Sequence, residues 1–298
     1  MRSSSRARSA YERQPAVAGT FYPSSPDVLG RDVERYLADA PETALRGSLR
    51  GLITPHAGYV YSGGVAASAI RQLRGRRYDT VVLLGPSHHF RFDGVAVHAK
   101  GSFSTPLGTV PVDEALAAEL VASDPAILDR PDVHAPEHGL EVQLPFLQSV
   151  LPPFSIVPIV MFDFSERNCR MLADALTHAV EGRDALVLVT TDLAHYPAYE
   201  DAVESDTAMI VAIESFEPAE IRARSDAYLA RSIPNLQVTM CGMGAVVTGV
   251  EVAKRIGATG VQSLQYANSG DVPSGGKSQV VGYVGAAFFD EREGEVSG

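Results

Sequence analysis

The sequence predicts an α/β fold, a single-domain α/β/α sandwich whose mixed sheet is covered by helices on both faces. Three observations lead there. Short continuous apolar runs, Thr80–Leu84 and Ala185–Thr191 among them, read as strands buried on both sides. These runs alternate with longer segments of helical apolar spacing, and strand–helix–strand units of that kind build sheets with parallel strands. No composition break marks a linker, no segment repeats, and no low-complexity block follows the first residues.

The elements follow in order. Residues 1–14 form a disordered tail and 15–298 the domain. The tail begins with a basic stretch, Met1–Ser9, that lacks the apolar core of a secretory signal. Pro15–Pro23 enters the fold extended, and Ser25-Pro26-Asp27 opens a helix whose stripe is Val28, Leu29, Val33, Tyr36 and Leu37. A strand runs from Leu49 to Thr54, and Ser62 caps a helix over Gly63–Leu73. The strand Thr80–Leu84 is stopped by Gly85-Pro86. Asp93–Val97 is a short strand with a hairpin through Gly101-Ser102-Phe103, and Asp113 caps a helix reaching Ala122. Leu140–Leu151 keeps helical spacing despite Pro145. Phe154–Met161 and Ala185–Thr191 are strands on either side of a helix over Ser165–Val180. Helices over Ala202–Ser215, Pro218–Ala230 and Gly242–Ile256 precede two closing strands, Val261–Asn268 and Gln279–Phe289.

The totals bound the function. With 298 residues, 45% hydrophobic and 20% charged, the chain has the makings of a sizeable core. Its 36 acidic against 25 basic residues give a net charge of −11, which opposes binding to nucleic-acid phosphates. No apolar run approaches the roughly 18 residues of a membrane span. Two cysteines, Cys169 and Cys241, support no disulfide framework, which points to the reducing cytoplasm.

The chemistry gathers at strand ends. Thr54-Pro55-His56, Gly85-Pro86-Ser87-His88-His89 and Thr191-Asp192-Leu193-Ala194-His195 each deliver an imidazole just past a buried strand. In an open α/β sheet that is where ligands bind, and histidine is the commonest metal ligand. Cys241 precedes the Gly242 helix, whose N-terminus favours a thiolate able to ligate metal or attack substrate. His134-Ala135-Pro136-Glu137-His138 matches the H-x-x-E-H zinc pattern, but Pro136 and Gly139 break the helix that pattern needs. His138 turned into the same pocket, as an acid/base, fits better. His98, His178 and Cys169 read as structural. Gly275-Gly276-Lys277-Ser278 lacks the leading glycine and following helix of a phosphate loop.

Taken as an ordered set, Pro55-His56-Ala57-Gly58-Tyr59, Gly85–His89, Glu137-His138-Gly139-Leu140-Glu141, Thr191–His195, Cys241-Gly242 and Tyr266–Asp271 resemble the Memo family (mediator of ErbB2-driven cell motility). Its prokaryotic members are called AmmeMemoRadiSam system protein B. The resemblance runs from about Ala16 to Phe289. It implies a class III extradiol dioxygenase-like fold, with His56 and His88 on the two histidine ligands of a non-haem Fe(II) site. It puts Cys241 where those dioxygenases carry a carboxylate ligand, and His138 and His195 on the acid/base and oxygen-handling histidines. Asp192, read as one helical turn before His195, would orient that imidazole. A thiolate at the third position is softer and oxidisable, so copper or zinc suits the site as well as iron.

Two classes of function follow. One is a mononuclear non-haem iron oxidoreductase acting on a small-molecule substrate. The other is a metal-, redox- or peptide-binding protein using the same pocket without turnover; the absence of an Arg cluster beside the histidine motifs weighs against phosphopeptides. A zinc metallohydrolase on the same ligands is a third. The family's name implies a radical-SAM partner in a shared pathway. The small-residue helices at Gly63 and Gly242 suit either core or an oligomer contact.

Overall fold

A computed structural model describes residues 11–293. In chain order its elements are β1 (Glu12–Arg13), α1 (Pro26–Asp39), β2 (Ser48–Thr54), α2 (Tyr59–Ile70), β3 (Thr80–Pro86), β4 (Val95–Val97), β5 (Ser102–Thr105) and β6 (Gly108–Pro111). Then come α3 (Glu114–Ser123), β7 (Ile127–Asp129), a single turn α4 (Pro131–His134), α5 (Leu144–Val150), β8 (Ser155–Met161), α6 (Glu166–Val180), β9 (Ala185–Thr190) and β10 (Asp192–His195). The last third holds α7 (Tyr199–Glu214), α8 (Pro218–Ala230), α9 (Met243–Arg255), β11 (Gly260–Asn268) and β12 (Val281–Asp290).

The main sheet is mixed, with strands in the order β10-β12-β2-β9-β3-β8-β4-β7 and β11 on the free edge of β12. Its centre, β2, β9, β3 and β8, is parallel, while β12 joins β2, and β4 joins β8, antiparallel. Every residue of β3 is buried, because both faces are covered. That explains why its sequence is a continuous apolar run rather than an alternation. Helices α1, α2 and α5 pack together on one face; α9 lies across β2, β3, β8 and β9 on the other, backed by α6 and α8. Both small-residue helices are core. In α9 the buried residues run from Met243 to Val250 without a gap, and in α2 they include Gly63, Ala66 and Ala67.

Several boundaries differ from the sequence reading for physical reasons. β3 continues through Gly85-Pro86, which pair with Val160 and Met161 of β8. Because the Ser87 N–H points to β8, the nitrogen of Pro86 points the other way, where β9 has ended its pairing at Leu84–Val189. No donor is needed there, so proline is tolerated. α2 starts a turn early, with Gly58 at its N-cap; the Ser62 hydroxyl instead donates to the Ala57 carbonyl.

The tail expected over residues 1–14 is also revised. Residues 1–10 lie outside the described residues, but Glu12–Arg13 pairs in parallel with β5 in a separate three-stranded sheet. Arg13 is buried and reaches Glu141 at 2.6 Å. The Glu141 carboxylate also accepts from Ala16 N (2.7 Å), Val17 N (3.1 Å) and Tyr22 Oη (2.6 Å). A fully buried carboxylate persists only with partners of this kind. Here the partners tie the incoming chain to the segment that carries the site.

A second buried carboxylate braces the opposite side. Asp206 of α7 accepts the Ala194 N–H and the Tyr266 hydroxyl, each at 2.9 Å, and so holds β10 against the helix. A Cβ at Gly282 would fall on this carboxylate, which is why β12 carries glycine there. Burial pushes Asp206 up to about 7, against the pull of its two hydrogen bonds. In the unfolded chain its pKa is about 4. Between those values the folded state therefore binds more protons, and the stability this group confers is lost as pH rises toward 7. The stability of wild type minus that of Asp206→Asn is expected to fall by roughly 3 kcal/mol across that interval. Urea unfolding at pH 4.5, 5.5, 6.5 and 7.5 measures it; a difference independent of pH would contradict the assignment.

Candidate metal centre

Three parallel strands lying side by side build the floor of the site. Thr54 of β2 pairs with Thr190 of β9, and Val189 pairs with Leu84 of β3, so the three C-terminal ends are level. His56 follows β2, His88 follows β3, and the turn after α4 carries His138 across them. One nitrogen from each of these imidazoles lies within 4.8 Å of the other two. The His88 and His138 rings stack at 4.4 Å, with His56 edge-on to both. His56 is buried, His138 partly so, and His88 the most open of the three. The neighbouring His89 is exposed.

The second nitrogen of each ring decides which atom faces the centre. The Thr190 hydroxyl donates its one proton to the Thr54 carbonyl at 2.9 Å. It therefore accepts from His56 Nδ1 at 2.8 Å and from Gln143 Nε2 at 3.1 Å. That network puts the His56 proton on Nδ1 and leaves a lone pair on Nε2. His88 Nδ1 lies 2.8 Å from Glu137 Oε1, and Glu137 Oε2 accepts the His88 N–H, also at 2.8 Å. Glu137 Oε1 further accepts the Gly139 N–H at 2.8 Å and lies 3.6 Å from His138 Nδ1. A Cβ at Gly139 would stand 3.3 Å from Glu137 Oε1, a tight approach, and in ordinary contact with the His56 ring. Imidazoles held from behind by a carboxylate or hydroxyl, with the other nitrogen free, are how proteins present histidine to a metal.

The electrostatics agree. Burial, then the neighbouring His88, drives the His56 pKa well below its ordinary value. Burial, with His56 and His88, brings His138 down to about 3. Burial would lower His88 too, but the hydrogen bond and charge of Glu137 outweigh it and raise that pKa. Burial would raise Glu137, yet the contact and charge of His88 hold it well below the usual carboxylate range. Two neutral imidazoles and a third paired to a carboxylate form a donor set that can hold a cation.

Cys241 meets this group through His56, with Sγ 3.2 Å from Nε2 and accepting the Asp192 N–H at 3.3 Å. Because Nε2 carries a lone pair, the thiol is the donor. The thiolate expected from the α9 N-terminus is not favoured here. Burial pushes the Cys241 thiol well up, and the nearby Asp192 charge adds to it. A cation in the site would reverse that balance.

His195 and Asp192 lie on β10, an extended strand, so Asp192 is not a helical turn from His195. The Asp192 carboxylate instead accepts the His56 backbone N–H at 2.8 Å. Burial raises its pKa to about 6, against that hydrogen bond. His195 Nε2 is buried without a hydrogen-bond partner among the described residues, and burial lowers the pKa of the ring. Together with His56, His88, His138, Asp192 and Tyr283 it lines a cleft of about 580 Å³. Gly275 and Gly276 of the rejected phosphate motif form part of the same cleft's rim.

Sequence reasoning missed Glu137, Thr190 and Gln143. Glu137 stood in view inside the H-x-x-E-H match, but that pattern assigns it to zinc chemistry on a helix. The helix ends at His134, whose Nε2 lies 3.1 Å from the Ala96 carbonyl in a separate buried cluster with His98. Replacing Glu137 by Gln removes the charge behind His88 and leaves the shape. Metal affinity is expected to drop about 10–100-fold, read by competition with a chromophoric chelator. Affinity within twofold of wild type would remove Glu137 from this role.

Residues 13–287 match the family described as Memo-like protein. A MEMO1 family protein of Methanopyrus kandleri is 37% identical over 288 residues, covering 93% of this chain and 99% of that one. One from Thermotoga maritima is 38% identical over 291 residues, covering 93% and 100%. An uncharacterized protein of Escherichia coli K12, known from its crystal structure, is similar with a TM-score of 0.49 and 12% identity, covering 79% of this chain and 99% of its own. No helix among the described residues is long and apolar enough to cross a membrane. With the family matched along nearly its whole length, this chain belongs to the Memo family.

Proposed function

We propose that this Memo-family chain is a mononuclear metalloprotein holding iron, and that it acts as a non-haem iron oxidoreductase on a small molecule. The observation that supports this most is the convergence of His56, His88 and His138, with the far sides of His56 and His88 tied to Thr190 and Glu137. His56 and His88 form the common pair. Cys241, whose Sγ lies 3.2 Å from His56 Nε2, and His138 are the two candidates for third donor. Either choice leaves the mixed nitrogen and sulfur or all-nitrogen set that iron accepts. Bound there, the ion supplies Lewis acidity and one-electron chemistry at its open positions.

The surrounding residues supply the rest. His195, neutral because it is buried, has a free Nε2 in the same cleft and takes a proton from a substrate hydroxyl. Asp192 fixes the backbone of His56 and so the direction of its Nε2. Tyr283 and Phe21 wall the cleft and keep water from the reacting groups. A second reading, metal or redox binding without turnover, is favoured by one feature: the Cys241 thiol touching His56 Nε2 is a soft donor suited to Cu(I) and open to oxidation.

Elemental analysis of protein purified without oxygen tests the proposal. About one iron per chain is expected, lost in His56→Ala and His88→Ala, and the pair Cys241→Ser and His138→Ala identifies the third donor by which variant loses metal. Copper in its place would move weight to the redox-binding reading, and zinc to hydrolysis. No metal after anaerobic reconstitution would end the proposal. Once an oxygen-consuming substrate is in hand, His195→Gln is expected to keep its iron and lose about 10²–10⁴-fold in turnover.

A further inference from the structure

A second cleft, larger than the first, opens on the other side of His88. It encloses about 1110 Å³ and is lined by Cys241 and Gly242, whereas His56, His138 and His195 face the first cleft; His88 alone of the three imidazoles lines both. That volume exceeds the roughly 300–1,000 Å³ usual for small-molecule sites. Its walls are apolar and aromatic, with Phe92, Met161, Phe162, Phe164 and Val238, and two guanidinium groups stand among them, Arg91 and Arg222. The Arg91 guanidinium lies over the Phe162 ring at 5.5 Å. Arg222 Nη2 lies 3.1 Å from Cys169 Sγ. Among the described residues neither has a carboxylate partner.

The cleft also holds Asp93 and Asp163, and protein donors meet one oxygen of Asp93 and both oxygens of Asp163. Asn168 Nδ2 bridges them at 3.0 Å to each. Asp93 accepts the Gly94 N–H at 2.7 Å, and Asp163 accepts the Ser165 N–H at 2.9 Å and its hydroxyl at 3.3 Å. Beside the two guanidinium groups the cleft leaves one oxygen of Asp93 as an acceptor, so it offers more open donors than open acceptors. Guanidinium groups beside aromatic faces match a carboxylate on an apolar body.

We propose that this cleft binds an organic anion with an aryl or alkyl body, its carboxylate on Arg91 and Arg222 and its body along Met161, Phe162 and Phe164. The far end of such a molecule reaches Cys241 and His88. The cleft is then the substrate's approach to the centre, and this last step rests on the metal-site reading above; the anion binding itself does not.

The test uses calorimetric titration of the full chain with 4-phenylbutyrate, 4-phenylbutyramide and 4-phenylbutylamine, in metal-free and in iron-loaded protein. In the metal-free protein the carboxylate is expected to bind at least about tenfold tighter than the amide or the amine. Arg91→Gln with Arg222→Gln should erase that preference while leaving the amide's affinity unchanged, and Phe162→Ala should weaken all three. Equal affinities for the three probes, tighter binding of the amine, no binding of any, or a preference that survives the double variant would each overturn the proposal. If the double variant fails to fold, the wild-type comparison of carboxylate with amide still decides. Iron stoichiometry of the same wild-type preparation judges the metal site separately, so failure of one reading is not mistaken for failure of the other.

Discussion

The Glu137 carboxylate is the point on which the site depends. It is buried, and its charge is met by the His88 backbone N–H, the His88 ring and the Gly139 N–H. A buried carboxylate without such donors would cost several kcal/mol and take up a proton instead. The requirement works in both directions. The loop after β3 and the turn after α4 are far apart in sequence, and neither has regular structure to fix it. Sharing one carboxylate fixes both, and it places the His88 and His138 rings against each other. Arg13 extends the arrangement by bonding the Glu137 carbonyl and the Glu141 carboxylate together. The first strand of the described chain thereby supports Glu137 and the turn it braces, more than a hundred residues further on.

The charge state of the centre follows from the same packing. Histidines crowded within one cavity cannot all be protonated, so burial and mutual repulsion keep His56 and His138 neutral. For His88 alone does the Glu137 anion outweigh burial. The Cys241 thiol is likewise kept protonated by burial and by Asp192. Without a cation the site is nearly uncharged and internally hydrogen-bonded, with the thiol donating to His56. With one, the same atoms become two or three neutral nitrogens and a sulfur that gives up its proton. Metal uptake at Cys241 would thus release a proton, which links affinity to pH.

How much of this was legible in the sequence differs by level. The central strands were, because burial on both faces forces a continuous apolar run, and β3, β8 and β9 appear where those runs stand. The helix cap at Asp113 was legible too, since a side chain that accepts a first-turn N–H leaves a local signature. Local rules failed where tertiary context decided. Pro86 extends a strand because the neighbouring strand stops, and Arg13 belongs to the core because Glu141 lies across from it. Asp192 and His195 sit on an extended segment because β12 offers an edge to pair with. At the site, the strand-end histidines announced themselves through position. Glu137 and Thr190 did not, because a residue that acts by holding a ligand from behind has no spacing of its own to recognise.

The two candidates for third donor belong to different elements, and that separation matters for what the site can become. His138 is carried by the turn braced by Glu137, in the cleft that holds His195. Cys241 is carried by the N-terminal end of α9, facing the larger cleft with its two arginines. Because His56 and His88 are fixed by the strand ends and by Thr190 and Glu137, they do not depend on which third donor completes the set. In the proposed centre a substitution at position 241 would therefore change the softness and charge of the donor set and leave the His56–His88 pair in place. The strand ends fix where the imidazoles stand; in the proposed centre the turn that carries His138 and the helix end that carries Cys241 would decide the donor set.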